Sequence, residues 1–239
     1  MSDAPEQPTD GPGTAAPSPV AVPAVTFEVL GATHDPISLA PTLRLQLGVS
    51  EASGREVYAI TLTAQVNLDP ARREYDAETR KELFELFGMP ERWPSTTRSF
   101  VWANVETMVH SFSGAGTFSL EIPCTADLES AVSRYIEALP DGDVPITLHF
   151  SGRVMYPAEG GRLQVAGIPW STSCSYRVPI SVWQNMMKHH HGQSTILRLH
   201  KDTMQALLRY KTARGLPNFD ACVAGLLEAA AIDDEENSR

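Results

Sequence analysis

PTLRLQLGVS (residues 41–50), EASGRE (51–56) and VYAITLTAQVNLDP (57–70) run consecutively, and their reading decides the fold. Leu43, Leu45, Leu47 and Val49 alternate with Arg44, Gln46 and Gly48, so an extended chain here is apolar on one side. A period of two marks a half-buried strand. Ile60, Leu62, Ala64, Val66 and Leu68 repeat the pattern against Thr61, Thr63, Gln65 and Asn67. Gly54 suits a turn between the runs, which together read as an antiparallel hairpin ended by Asp69-Pro70.

Working outward, strand patterns return at 100–109, at Phe118, Leu120 and Ile122, and at Val144, Ile146, Leu148 and Phe150. The last of these can run past Gly152 to Tyr156, and 163–181 reads as two short strands. Three segments switch to a helical period: 76–87 with Asp76 as cap, 125–139 with Thr125 as cap, and 182–190 after the capping-box spacing of Ser181 and Gln184. In the helix over 125–139 the apolar spacing includes Leu128. In the helix over 182–190, Trp183 and Met186 are packing or interaction anchors. Alternating strands with few helices predict an α+β fold: an antiparallel sheet or sandwich body over 25–192, not a doubly wound nucleotide fold.

The 239 residues carry a net charge of −10, of which −3 falls in residues 1–24 and −3 in the last seven, DDEENSR. The remaining body is only mildly acidic, a poor general partner for polyanions. Residues 1–24 hold six prolines and little to bury, which predicts a disordered tail, and 232–239 reads as an acidic disordered end. Cys124, Cys174 and Cys222 stand singly, without metal-ligand spacing, as in a reducing compartment. No run approaches 18 apolar residues, and MSDAPEQPTD lacks the features of a signal peptide, so a cytoplasmic protein is expected.

Residues 193–231 read as a strand–helix–helix unit that packs on the body or on a dimer partner. Thr195, Leu197 and Leu199 alternate with Ile196, Arg198 and His200. Asp202 and Gln205 have capping-box spacing before a first helix, Gly215 suits its C′ position, and Asn218 caps a second. The second helix carries the stripe Phe219, Cys222, Val223, Leu226, Leu227 and Ala230, with Phe219, Val223 and Leu226 as packing residues in cis or in a dimer. The unit resembles the ribbon-helix-helix DNA-binding fold, which would place Arg198, His200 and Lys201 at a duplex and a phosphate at Asn218. Six basic residues between Lys188 and Arg214 against Asp202 favour that alternative. Ile196 on the would-be reading face opposes it.

No phosphate loop, dinucleotide fingerprint, HExxH or GxSxG occurs, so no catalytic residue and no cofactor is assigned. His189, His190 and His191 are metal candidates by residue type, but consecutive helical positions diverge by about 100°. His34, His110 and His149 are possible proton handlers. Cys124, placed just before a helix, is a candidate for a lowered thiol pKa.

APTLRLQL, REVYAITLTAQVNLDPARREYD, LFGMPERWPSTTRSFVWANVETMV, FSGAGTFSLEIPCTADLE, DVPITLHFSGRVMY, IPWSTSCSYRVPISVWQNMM and LRLHKDTMQALLRYKTARGLPNFDA occur in this order over about residues 26–229. They resemble an uncharacterised actinobacterial domain-of-unknown-function family encoded near high-affinity nickel–iron hydrogenase genes. The resemblance implies a non-enzymatic accessory or assembly protein, with a hydrogenase subunit or maturation factor as partner; the C-terminal packing residues leave a homodimer as an option. It implies no catalytic residue. The triple histidine departs from the family's usual pattern, which argues against a family-wide nickel role there.

Overall fold

The alternating runs of the body become strands, and these are divided between two sheets. The computed structural model describes residues 23–127, 130–158, 161–192, 194 and 196–237, with side-chain burial given up to residue 230. The expected disordered tail therefore lies, from residue 1 to 22, outside the described residues, as do Leu128, Thr195 and residues 238–239. The strands are β1 (Val25–His34), β2 (Thr42–Glu51), β3 (Glu56–Val57), β4 (Ala59–Leu68), β5 (Phe100–Val109), β6 (Phe112–Ser113), β7 (Ala115–Pro123), β8 (Asp143–Pro157), β9 (Leu163–Gly167) and β10 (Ser173–Pro179). The helices are α1 (Ala77–Glu82), α2 (Phe84–Phe87), α3 (Trp93–Thr96), α4 (Ala131–Glu137), α5 (Ile180–His191), α6 (Lys201–Ala213) and α7 (Phe219–Asn237). The fold is α+β, with antiparallel sheets and a C-terminal helix pair.

One sheet has the order β1-β2-β7-β6-β3, the other β10-β8-β4-β5, with β9 also paired to β8. The hairpin expected from 41–68 does not form. β2 pairs with β1 and β7, while β4 pairs with β5 and β8. Both runs are rich enough in Leu, Ile and Val to occupy the centre of a sheet. In opposite sheets their apolar faces cover each other, which a two-stranded ribbon could not do without a further layer. The link between them bends at Gly54 (φ 71°), and β3 pairs with β6 before the chain enters β4. Glu51, buried at this link, accepts from the Ser53 and Arg55 backbone N–H groups (3.1 and 2.9 Å) and from Ser53 Oγ (2.6 Å). Burial pulls its carboxyl pKa up, but these hydrogen bonds outweigh it and hold the group below its ordinary value.

The core lies between the sheets. Leu43, Leu45, Leu47, Leu120 and Ile122 meet Ile60, Leu62, Val66, Ile146, Leu148 and Phe150, all essentially inaccessible to solvent. Each such side chain stabilises the fold by about 1.5–3 kcal/mol on transfer alone. Phe27 of β1 lies on the Phe150 ring with centroids 4.4 Å apart, joining the two sheets along one side.

Helices close one end of the sandwich. Asp76 caps α1 as expected, accepting from Thr79 N at 2.7 Å. The helix expected over 76–87 is divided at Leu83 (φ −84°, ψ 1°) into α1 and α2, and Leu83 itself is fully buried in the core. The helix expected from Thr125 begins only at Ala131. Thr125 Oγ1 instead accepts from Asp127 N in a local turn that competes with helix entry. α5 starts at Ile180 with Pro179 as its N-cap and no side-chain capping bond, so the Ser181–Gln184 pair is not a capping box. Pro179 supplies the extended entry that the cap would have enforced.

Candidate functional site

From Ile196 the chain leaves the body. Ile196 forms a single parallel bridge with Asp127, and no strand forms over 197–200. The expected strand–helix–helix unit is thus a helix pair with an extended lead-in. Alternation alone builds no ladder without a neighbouring edge to pair with. Arg198, proposed from the sequence as a base reader, places Nε 2.9 Å from Oδ2 of the buried Asp127 carboxylate. That ion pair tethers the lead-in to the body. His200 precedes α6 as its N-cap residue, with Nδ1 3.7 Å from Asp202, and Lys201 is the exposed first residue of the helix. Asp202 therefore lies inside the first turn instead of capping it.

The turn between the helices is as expected. Gly215 takes φ 63°, and Leu216 N donates to Lys211 O at 3.1 Å. Asn218 Oδ1 accepts from Ala221 N at 2.8 Å, so its role is that of an N-cap. α7 then runs to Asn237, making 232–237 helical where a disordered end was expected.

α6 and α7 pack on each other. Cys222 is fully buried between them, with Sγ 3.9 Å from Leu207 O, and Lys211 Nζ lies 5.7 Å from the centre of the Phe219 ring. The apolar stripe does not share this direction. At about 100° per residue, Val223 and Leu226–Leu227 centre roughly 90° round the helix from Cys222. They are accordingly exposed: Val223 by 43 %, Leu226 by 40 % and Leu227 by 66 %, with Leu208 of α6 at 51 %. Phe219 is half-buried under the Lys211 stem. An exposed group of this size, on a helix tied to the body by so little, is the most distinctive surface of the chain.

The other interaction anchors belong to the core. Trp183 and Met186 of α5 are buried; Trp183 Nε1 donates to Glu137 Oε1 at 2.8 Å, and its ring meets Trp102 edge-on. The C-terminal end of α5 carries the three histidines. His189 Nε2 is 3.1 Å from Pro36 O, and its ring centroid is 5.9 Å from His34 and 5.1 Å from His190. His190 and His191 follow at 6.4 Å, each with a buried Nε2 that has no hydrogen-bond partner among the described residues. The rings form a row, and no group of three or more His, Cys, Asp or Glu among the described residues is arranged to hold one ion. His110 and His149 lie on exposed faces.

A cleft of about 490 Å³ beside residues 70–75 is lined by Arg73, Tyr75, Arg80, Pro90, Trp93 and Thr97. Arg73 and Tyr75 are engaged structurally. Arg73 donates to Asp143 O and Asp141 O, both at 2.7 Å, and the Tyr75 hydroxyl donates to Pro70 O while bonding Tyr135 at 2.8 Å. Burial, reinforced by the neighbouring phenol, pushes Tyr75 far above its ordinary pKa and out of acid–base use near neutrality. Cys124 is not an activated thiol. It lies well before α4, and burial pushes its pKa up to about 12.

The chain belongs to a family of unknown function (DUF6084), whose model matches residues 22–235. No curated protein matches it. Among solved structures, β-glucosidase 3B from Thermotoga neapolitana aligns with 66 % of this chain and 17 % of its own, at 11 % identity and TM-score 0.25. The β-glucosidase from Kluyveromyces marxianus aligns with 66 % of this chain and 15 % of its own, at 5 % identity and TM-score 0.25. The putative ApaA protein from Bordetella pertussis aligns with 67 % of this chain and 96 % of its own, at 11 % identity and TM-score 0.22. The chain thus spans less than a fifth of either glucosidase.

Proposed function

We propose that this member of the family is a non-enzymatic accessory or assembly protein that binds a partner protein in the cytoplasm, within a nickel–iron hydrogenase system. The observation that carries the protein-binding part is the C-terminal helix pair: its apolar stripe faces away from both the neighbouring helix and the sandwich. A helix stripe of this kind is the usual anchor of helix-in-groove and bundle recognition. The hydrogenase link rests on the resemblance to a family encoded beside such genes, an associational support. The compartment rests on three free thiols, and no helix among the described residues is long and apolar enough to cross a membrane. Against the DNA-binding alternative, Arg198 Nε lies 2.9 Å from the Asp127 carboxylate in this chain.

The test is affinity purification of the full chain from its native host, together with hydrogen uptake in a deletion strain. Enrichment of a hydrogenase subunit or maturation factor, lost with Leu226→Glu, is the expected result. No such enrichment together with normal hydrogen uptake overturns the proposal.

A further inference from the structure

A polar cluster lies where β4 ends, in the sandwich and apart from the C-terminal helices. In the antiparallel register of β8 and β10, Pro145 lies opposite Arg177 and Thr147 opposite Ser175, so these four share one face of their sheet. Arg72 comes to the same face from the single turn over Pro70–Arg72 that follows β4. Asp69 fixes it there. The Asp69 carboxylate is buried and accepts from the hydroxyls of Ser99 and Thr147, both at 2.5 Å. Arg72 Nη1 lies 3.6 Å from Asp69 Oδ2 and donates to Ser175 Oγ at 2.9 Å. Arg177 Nη2 donates to Arg72 O at 2.7 Å, which ties the second arginine to the first. Arg72, Arg177, Ser175, Pro145 and Tyr176 line a cleft of about 420 Å³. That volume is in the range of small-ligand sites.

We propose that this cleft binds a small carboxylate carrying an apolar ring, with Arg72 and Arg177 on the carboxylate and Pro145 and Tyr176 against the ring. Hydrogen-bonding capacity, charge and shape all select this class. Ser99 and Thr147 give their single hydroxyl hydrogens to Asp69. Among the described residues, Arg72 Nε and Nη2 and Arg177 Nε and Nη1 have no hydrogen-bond partner. Ser175 accepts from Arg72, and its own hydrogen meets only Thr147 Oγ1, at a long 3.3 Å. The unspent groups are donors, so the ligand has to accept.

Two guanidinium groups against the Asp69 carboxylate leave one positive charge. Arg73 adds none to the cleft, because it is spent on the Asp141 and Asp143 carbonyls. A single positive charge matches a monoanion better than a phosphate dianion, and the planar guanidinium fork matches a carboxylate. Pro145 is buried and Tyr176 half-buried, so the wall they form is firm and apolar. Asp69 and Ser175 already hold Arg72 in place, so binding orders little that is not ordered beforehand.

The test is titration of the full chain with benzoate, in a buffer free of carboxylate and phosphate, read by nitrogen–hydrogen correlation NMR that includes the arginine Nε signals. Saturable shifts are expected at Arg72, Thr147, Ser175 and Arg177, with Kd about 1 mM or below. Benzamide, the same ring without the charge, and inorganic phosphate should each bind at least about 10-fold more weakly. Arg177→Lys keeps the charge and loses the fork, so it should weaken benzoate about 3–10-fold, and Arg177→Ala about 10–100-fold. Unchanged signals from the core strands show that either variant remains folded. The absence of saturable shifts up to about 20 mM benzoate overturns the proposal and leaves the arginines as a clamp between the turn and β10. Benzamide binding as tightly as benzoate, phosphate binding more tightly, or an Arg177→Ala chain that binds benzoate like the unaltered one overturns it equally. No partner protein enters the measurement, so its outcome is separate from that of the protein-binding reading.

Discussion

Gly152 is the residue at which the sandwich tolerates least. It sits in β8 opposite Leu62 of the central strand β4, with φ 147°. β8 changes neighbour here. Before it, β8 pairs with β10; beyond it, with β9, and Ile168 N donates to Gly152 O at 3.0 Å across the change. An alanine Cβ would stand 2.0 Å from Thr61 O, 3.0 Å from Thr61 C and 3.2 Å from Leu62 Cα. All three are backbone atoms of a strand paired on both sides, so no flexible side chain can yield. Separation by more than 1 Å is needed, which breaks one or two ladder bonds at about 0.5–1.5 kcal/mol each. The positive φ adds about 1–3 kcal/mol of strain, and displaced core packing about 1–3 kcal/mol. Gly152→Ala is therefore expected to lose about 3–6 kcal/mol, a large share of a typical stability of 5–15 kcal/mol. For a domain of this size that lowers Tm by roughly 10–15 °C. Urea unfolding followed by tryptophan fluorescence reads it, because Trp93 and Trp183 are buried in the same body. A loss below about 1 kcal/mol, with unchanged slope, would refute the reasoning, since the strand would then have moved aside at little cost.

Glu51→Gln is expected to lower stability at neutral pH. The folded carboxylate is held below its ordinary value of 4.5, so its stabilisation is present above that value and is lost as pH falls through the folded pKa. Urea titrations of both chains should converge in acid, and a gap that widens there would contradict the assignment. Cys124 and Cys174, raised by burial to about 12 and about 11, should alkylate far more slowly than a free thiol at pH 8 and react at ordinary rates after unfolding. Mass spectrometry of carbamidomethylated peptides distinguishes the sites. Arg198→Ala removes the ion pair that ties the lead-in to Asp127. Hydrogen exchange should then accelerate in 196–213 and stay unchanged in β2, β4 and β8. Acceleration throughout the sheets would mean that the tether supports the body itself.

Which parts of this architecture could be read from the sequence follows from the range of the forces involved. A period of two is local, so β2, β4, β5, β7, β8, β9 and β10 are all legible as strands, including the continuation of β8 beyond Gly152. Pairing is not local. A short loop with a turn glycine predicts a hairpin for 41–68, yet covering two fully apolar faces against each other outweighs the entropic advantage of a near neighbour. Caps divide the same way. Asp76 and Asn218 act where the chain already turns into a helix. Ser181 and Asp202 have the right spacing but fall inside helices whose entries are set by Pro179 and His200. The strand expected at 194–200 needed an edge that only the fold could provide, and among the described residues it meets one only at the single bridge of Ile196 to Asp127.

The stripe on α7 is the instructive case, because its existence was legible and its direction was not. Periodicity says that Phe219, Val223, Leu226 and Leu227 share a face; it does not say what that face meets. The direction is set by Cys222, small enough to let α7 approach α6 at Leu207, and by Asn218 and Gly215, which fix the turn. With a small residue at the contact, two short helices approach closely but cover little. The larger apolar residues are left beside that contact instead of in it. A helix pair whose best apolar residues lie outside its own interface gains stability on association that it does not have alone. The tether through Ile196 and Arg198 is slight enough for this to happen without disturbing the sandwich. Stability of the body and association of the helix pair should accordingly vary independently: Gly152→Ala changes the first, Leu226→Glu the second, and together the two changes should add.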